Sequence, residues 1–149
     1  MRHLITVLIL LALAATARAE LTVVSAEHRD ADSFKRVSEY LTGKHSDGRY
    51  AVFRSDDSSR DGFYISLLAD DRTTLARAEK LRVRFVRKGT QEIDSFQLPA
   101  KDLKKKRILV GFTGSEWEES SNHPVAWKIE LLDASDTTLE TAQSFLWSE

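Results

Sequence analysis

The chain contains no cysteine and, in 149 residues, only two prolines, six glycines and one asparagine. The absence of cysteine excludes disulfides, thiol nucleophiles and thiolate metal sites. The asparagine, Asn122, is followed by His123 and Pro124, a context that N-glycosylation does not accept. For an exported domain, these absences are typical of a bacterial envelope protein rather than a eukaryotic secreted one.

Long apolar runs are also scarce, and the clearest one lies at the N-terminus. It extends from Leu4 to Leu13, follows the basic Arg2, and precedes Ala17-Arg18-Ala19, which has small residues at the positions that a signal peptidase reads. The run is shorter than the roughly 20 residues of a membrane-spanning helix. We therefore expect residues 1–19 to be a signal peptide, with a retained membrane anchor as the alternative.

Cleavage at that site leaves a single domain of residues 20–149, which we expect to be periplasmic or secreted. Its formal charge is −3, because 20 basic residues face 23 acidic ones once Arg2 and Arg18 are removed. A weakly acidic domain has no bulk charge with which to attract nucleic acid or an anionic membrane. We expect no nucleic-acid partner and no transmembrane segment after cleavage.

Hydrophobic alternation with a period of two dominates the rest of the sequence. The clearest case is Leu81, Val83 and Phe85, which alternate with Arg82 and Arg84. The other predicted strands are Leu21–His28, Arg49–Arg54, Phe63–Leu67, Phe96–Leu98, Ile108–Phe112, Val125–Leu131 and Leu139–Trp147. About eight short strands with turns between them predict an all-β, antiparallel sandwich.

Two segments depart from this alternation. Residues 32–42 have a helical pattern before Gly43, but the same residues could instead form a strand that pairs with Arg49–Arg54. The apolar residues on the helical face are Phe34, Val37 and Leu41. A second helix, too short to be stable alone, is predicted at Thr73–Lys80.

The inward faces of the strands predict the core. Trp127 shares a strand face with Ile129 and Leu131, so its ring is predicted to be buried. The residues predicted to be largely buried are Phe63, Ile65, Val83, Phe85, Val110, Phe112, Trp127 and Ile129. Trp147 is also predicted to lie in the core, at the end of a return strand that contains a bulge or a half-exposed edge.

The hairpin WKIELLDASDTTLETAQSF, Trp127–Phe145, resembles the closing hairpin of immunoglobulin-like and fibronectin type III-like sandwiches. The resemblance implies an antiparallel two-sheet fold and a binding or spacer role. Two features depart from that pattern: the chain lacks a cysteine pair, and Asp30–Gly48 fits no strand of such a fold.

Trp117 and Tyr64 are the candidate residues for stacking on a ligand. Trp117 lies in the acidic connection Gly114–Pro124, where no strand alternation forces its indole inward. Ser115 and Glu118 have capping-box spacing, which predicts one helical turn there. If Trp117 and Tyr64 stack on sugar rings, the chain is a carbohydrate-binding module. The alternative is that Trp117 plugs the open end of the sandwich.

The candidate charged surface consists of basic residues. The basic run consists of Lys101, Lys104, Lys105, Lys106 and Arg107, and it could lie beside Arg82, Arg84, Arg87 and Lys88 in the fold. Such a cluster could bind an anionic glycan, a lipid headgroup or an acidic partner. The alternative is structural, because lysines beside an edge strand prevent unwanted strand pairing.

Catalytic and metal-binding patterns are weak. The acidic turns, Asp56-Asp57 with Asp61 and Asp70-Asp71, match no calcium-loop spacing and are predicted to be solvated turns, so no metal or cofactor is expected. The histidines outside the signal peptide are His28, His45 and His123, in separate segments. None stands in a motif with a nucleophile or at metal-ligand spacing.

These observations predict a non-catalytic binding or structural module that contacts another envelope macromolecule, either a protein or a glycan. A carbohydrate-binding module is the first alternative, and a small hydrolase is the second.

Overall fold

A computed structural model describes residues 21–117 and 123–148. The predicted signal peptide and Glu118 of the predicted capping box lie outside these ranges. Within them the chain forms eight strands: β1 (Thr22–Arg29), β2 (Tyr50–Arg54), β3 (Gly62–Leu68), β4 (Lys80–Val86), β5 (Ile93–Pro99), β6 (Arg107–Thr113), β7 (Ala126–Leu132) and β8 (Thr138–Gln143).

The strands form two four-stranded sheets. The first has the order β1-β3-β6-β2 and the second the order β5-β4-β7-β8. All neighbours are antiparallel except β2 and β6, which run parallel. The predicted all-β sandwich is therefore confirmed, and β2 is a short parallel strand at one edge of it.

The core lies between the two sheets. All eight residues predicted to be largely buried are buried, and that prediction is confirmed. Aromatic rings join the sheets, because Phe85 of β4 meets Phe112 of β6 edge-on with 5.0 Å between ring centroids. Phe96 of β5 meets the same ring at 5.6 Å. Edge-to-face contacts of this kind stabilise a core beyond the burial of area alone.

The first sheet is buried on its outer face as well. Tyr64, Ser66 and Leu109 point away from the core, yet each is almost completely inaccessible to solvent. The ring of Tyr64 lies over Gly111, where an added Cβ would come within 2.4 Å of it, so glycine is required at that position. A sheet that is apolar on both faces needs a second covering layer.

Residues 30–48 supply that layer, and we call them the cover segment. Ala31–Phe34 is a 3-10 turn in which the Asp30 side chain accepts a hydrogen bond from the Ser33 amide, and helix α1 (Val37–Thr42) follows and ends at Gly43 with φ of 68°. The predicted helix over residues 32–42 thus exists as two short pieces, and the alternative strand is wrong. Two extended residues, Lys35 and Arg36, separate the two pieces.

The remaining helix and the C-terminus differ from expectation in detail. Helix α2 (Arg72–Ala76) is shorter than the predicted Thr73–Lys80. Strand β8 ends at Gln143, and Phe145 beyond it is fully exposed. Trp147 is buried, as predicted, although it lies apart from the main core cluster between the sheets. The chain turns after β8, and the Trp147 amide donates to the Ser144 carbonyl.

The strand β8 directs a carboxyl group inward. Glu140 lies opposite Leu131 in the β7–β8 ladder and is completely buried, and neither carboxylate oxygen has a hydrogen-bond partner among the described residues. Burial raises the pKa of Glu140 above its ordinary value of 4.5, the charges of Asp70 and Asp71 add to the rise, and Lys106 opposes it.

Replacement of this carboxyl group by a neutral amide should make the domain more stable at neutral pH. The raised pKa means that the folded state holds the proton more tightly than the unfolded state. This stabilisation is complete below about pH 4.5 and is lost as the pH rises through the folded-state pKa. Glu140→Gln should therefore raise the melting temperature at pH 7 relative to the native chain, with a smaller gain at pH 4.

Glu92→Gln is the matched control, because Glu92 is exposed. It should change the melting temperature little at either pH. If Glu140→Gln lowers the melting temperature equally at pH 4 and pH 7, then Glu140 is not a buried acid that prefers its neutral form.

Candidate functional site

The cover segment is anchored to the first sheet through Tyr64. The ring of Phe34 packs against that of Tyr64 with 4.7 Å between centroids, and the guanidinium of Arg54 lies 4.9 Å from the centroid of Phe34. Arg54 Nε donates to the Tyr64 hydroxyl at 2.7 Å, which in turn donates to the Arg60 carbonyl. Burial raises the pKa of Tyr64, and the hydrogen bond from Arg54 opposes the rise. Tyr64 presents no exposed ring face on which a sugar could stack.

Helix α1 turns its apolar side chains outward. Val37, Tyr40 and Leu41 are 77%, 74% and 81% exposed, and their i, i+3, i+4 spacing places them on one face of the helix. We call these three residues the apolar stripe. The expectation that Val37 and Leu41 would share a helical face with Phe34 is wrong. The backbone is extended between Phe34 and Val37, and of these three side chains only Phe34 packs against the sheet.

The opposite, polar side of α1 faces the protein. Glu39 accepts a hydrogen bond from Arg60 at 3.1 Å and lies 3.2 Å from Nδ1 of His45. Nε2 of His45 lies 2.6 Å from Asp47, and Arg36 donates to the Asp47 carbonyl. Hydrogen bonds from His45 and then Arg60 hold the pKa of Glu39 below its usual value. These polar contacts fix the orientation of α1 that exposes the stripe.

The predicted lysine cluster lies beside the edge of the first sheet. Lys105 Nζ donates to the carbonyl of Tyr50 on edge strand β2, and Lys106 Nζ donates to the carbonyl of Asp70. Lys104 and Arg107 are exposed. Lys105 thus binds a carbonyl group of the edge strand, as expected if these lysines prevent unwanted strand pairing, and its ammonium group stays at the surface.

Arg82 and Arg84 belong to the other sheet and do not extend the lysine cluster. Their side chains converge on Glu130, with Arg82 Nε at 2.8 Å and Arg84 Nη2 at 3.3 Å from the same carboxylate oxygen. Glu130 is buried, and burial acts to raise its pKa. Arg82 and Arg84 more than offset this and hold the pKa of Glu130 below its usual value. Both arginines therefore stabilise the buried carboxylate of Glu130.

Trp117 lies at one end of the sandwich, inside a stack of rings. It is buried and belongs to the core cluster. His28 stacks on it with 5.5 Å between centroids and Phe63 with 6.0 Å, while His123 stacks on Phe63 at 5.4 Å. This position fits the predicted plug. A contact between Trp117 and a ligand stays a prediction.

The same stack brings together two histidines that are far apart in sequence. Nε2 of His28 lies 2.7 Å from Asp61, and both side chains are partly exposed. Within residues 21–117 and 123–148 neither ring nitrogen of His28 contacts a hydroxyl group, and no three His, Asp or Glu side chains are placed to hold a metal ion. Of the acidic turns, Asp56 binds Ser58, and Asp71 caps α2.

An apolar groove of about 330 Å³ lies at the end of the second sheet. Its floor is the cross-strand row Ile93, Val86 and Ala126, and the C-terminal turn forms its wall. Three exposed apolar residues line the groove, Ile93 (58%), Val125 (41%) and Leu146 (67%), and the fully exposed Phe145 directly precedes Leu146 in the chain. We call these four residues the groove patch. Sequence alternation could not reveal it, because Phe145 and Leu146 follow the last strand.

Among the described residues, no helix is long and apolar enough to cross a membrane.

Replacement of Trp117 by alanine should destabilise the fold. Removal of a buried indole from the ring stack should lower the free energy of unfolding by about 2 to 4 kcal/mol. Phe145→Ala is the matched control, since that ring is fully exposed, and it should change stability by less than about 0.5 kcal/mol. Chemical denaturation measures both. Equal, negligible effects would contradict the buried position of Trp117.

Comparison with known protein families, with curated proteins and with solved structures found no match to this chain.

Proposed function

We propose that this domain is a non-catalytic binding module of the bacterial cell envelope that holds another protein through the groove patch. The observation that carries the proposal is that the exposed Ile93, Val125 and Leu146 line one groove, with the fully exposed Phe145 next to Leu146 in the chain. Exposed large apolar side chains that occur singly are ordinary, but a contiguous set is typical of an interaction site.

Several contacts fix the C-terminal turn that forms the wall of the groove. Trp147 is buried beneath it, and the guanidinium of Arg84 lies 5.5 Å from the ring of Trp147. Ser144 is bound to Trp127 through two hydrogen bonds, one to each backbone group. A partner therefore meets a surface that is already formed, which lowers the entropic cost of binding.

The strand order supports a finer assignment of the fold, which we also propose: an immunoglobulin-like sandwich. The second sheet has the order of the C′-C-F-G strands of that fold if β5, β4, β7 and β8 are matched in turn. Strands β1, β3 and β6 then match A, B and E. The departure is β2, which stands beside β6 where strand D would lie and runs parallel to it. Such domains commonly bind or space other proteins.

The two alternatives have less support. Tyr64 and Trp117, the candidates for stacking on sugar, are both buried. The His28–Asp61 pair is the nearest thing to a catalytic arrangement, and it has no hydroxyl nucleophile beside it in the described residues.

The proposal is tested by photo-crosslinking in envelope extract from the source organism. A photoreactive residue at Ser148, which lines the groove, should crosslink to one protein of defined mass. The double substitution Ile93→Ser/Leu146→Ser should remove that product, because two of the three exposed apolar side chains that line the groove are lost. It should leave the melting temperature within a few degrees of the native value.

Val37→Ser/Leu41→Ser is the matched control, since it also replaces two exposed aliphatic side chains, on a different surface. The crosslinked product should persist in this variant. Loss of the product in both variants, or in neither, would contradict the groove as the binding surface. Binding to a glycan panel would favour the carbohydrate alternative instead.

A further inference from the structure

Helix α1 is amphipathic in the opposite sense to most surface helices. An amphipathic helix on a folded domain normally buries its apolar face and exposes its polar one. Here Glu39 contacts the protein, and Val37, Tyr40 and Leu41 contact solvent. The polar contacts of Glu39 would be lost if the helix rotated to bury the stripe. The exposed orientation is therefore built into the fold.

Basic residues flank the stripe. Lys35 and Arg36 precede α1, and Lys44 follows it. Lys35 forms an ion pair with Asp32, but Arg36 and Lys44 form no ion pair within the described part of the chain. The only carboxylate on the helix, Glu39, is occupied by Arg60 and His45.

Further basic residues lie beyond the helix, beside Asp47 and Asp102. Arg36, Asp47 and Tyr50 line a cavity of about 100 Å³ beneath the cover segment. Asp47 and Tyr50 also line the neighbouring groove beside β2, together with Lys104 and Lys105. Two lysines of the predicted binding cluster thus share a groove with Asp47 and Tyr50, which also line the cavity beneath the cover segment.

From this juxtaposition we propose that the apolar stripe and its basic surroundings dock the domain on an anionic lipid surface. Three side chains on a six-residue helix are far fewer than the 20 to 30 residues that each partner contributes to a typical stable protein interface, about 800 Å² per side. They suit the shallow insertion of an interfacial helix, in which apolar side chains enter the headgroup region beside lysines and arginines. Tyrosine is a preferred residue at that boundary.

The net charge of the whole domain differs from the charge of the residues near the stripe. The predicted mature chain is weakly acidic overall, so it has no general attraction to anionic lipid. Lys35, Arg36, Lys44, Lys104 and Lys105 act only where they lie within about a Debye length, roughly 10 Å, of the headgroups. Docking is therefore weak, reversible and sensitive to salt, and it leaves the groove patch free for a protein.

Vesicle sedimentation tests the proposal with the chain of residues 20–149, which contains both sheets in full. Phosphatidylcholine vesicles that contain phosphatidylglycerol should bind the chain at low salt. Pure phosphatidylcholine vesicles should bind it at least about fivefold more weakly. Val37→Ser/Tyr40→Ser/Leu41→Ser should weaken binding to the anionic vesicles by about tenfold or more, because the inserted side chains are lost.

Two controls separate this surface from the groove patch. Phe145→Ser/Leu146→Ser removes exposed apolar side chains elsewhere and should leave vesicle binding within about twofold of the native value. Lys44→Glu should weaken binding to anionic vesicles while binding to pure phosphatidylcholine stays the same. All variants should keep their melting temperature, since each replaced side chain is exposed.

Several results would overturn the proposal. They are an absence of binding by the native chain, full binding by the triple variant, or loss of binding in Phe145→Ser/Leu146→Ser. A concentration-dependent dimer that the triple variant abolishes would show instead that a second copy covers the stripe. None of these results bears on crosslinking through the groove, so the two proposals fail separately.

Discussion

The burial of the outer face of the first sheet determines much of this structure. A sandwich sheet usually exposes one face to water, and the second sheet does so with the partly exposed Arg82 and Arg84 on its outer side. The first sheet instead carries Tyr64 and Leu109 on its outer side, both without solvent access. Exposure of these side chains would cost several kcal/mol. The chain therefore needs a layer over this sheet, and the cover segment provides it.

That layer explains why the helix α1 exposes apolar residues. The cover segment makes its apolar contact at Phe34 and its polar contacts at Glu39 and His45. Once these contacts are made, the other side of α1 can only face outward. Glu140 and Glu130 illustrate two further ways of burying charge. Glu130 is paired with two arginines, whereas Glu140 has no hydrogen-bond partner among the residues that the structure describes and favours its neutral form.

The sequence predicts both faces of strand β4 because the alternation of this strand is complete. Leu81, Val83 and Phe85 face inward and Arg82 and Arg84 outward, so the period of two assigns both faces of β4. The cover segment has no such pattern. Val37 and Leu41 satisfy a helical period whichever way the helix faces, and only tertiary contacts of Glu39 decide between the two orientations. Likewise, the position of Trp147 depends on a turn after β8, which strand parity cannot anticipate.

Native-state thiol labelling tests the outward orientation of α1 most directly, because the chain contains no cysteine that would compete. Leu41→Cys should react at nearly the rate of a free thiol. Leu109→Cys, beneath the cover segment, should react only through opening of the fold, at least about a hundredfold more slowly. Protection of the thiol in Leu41→Cys, or equal reactivity at the two positions, would contradict an outward-facing helix held over a buried sheet.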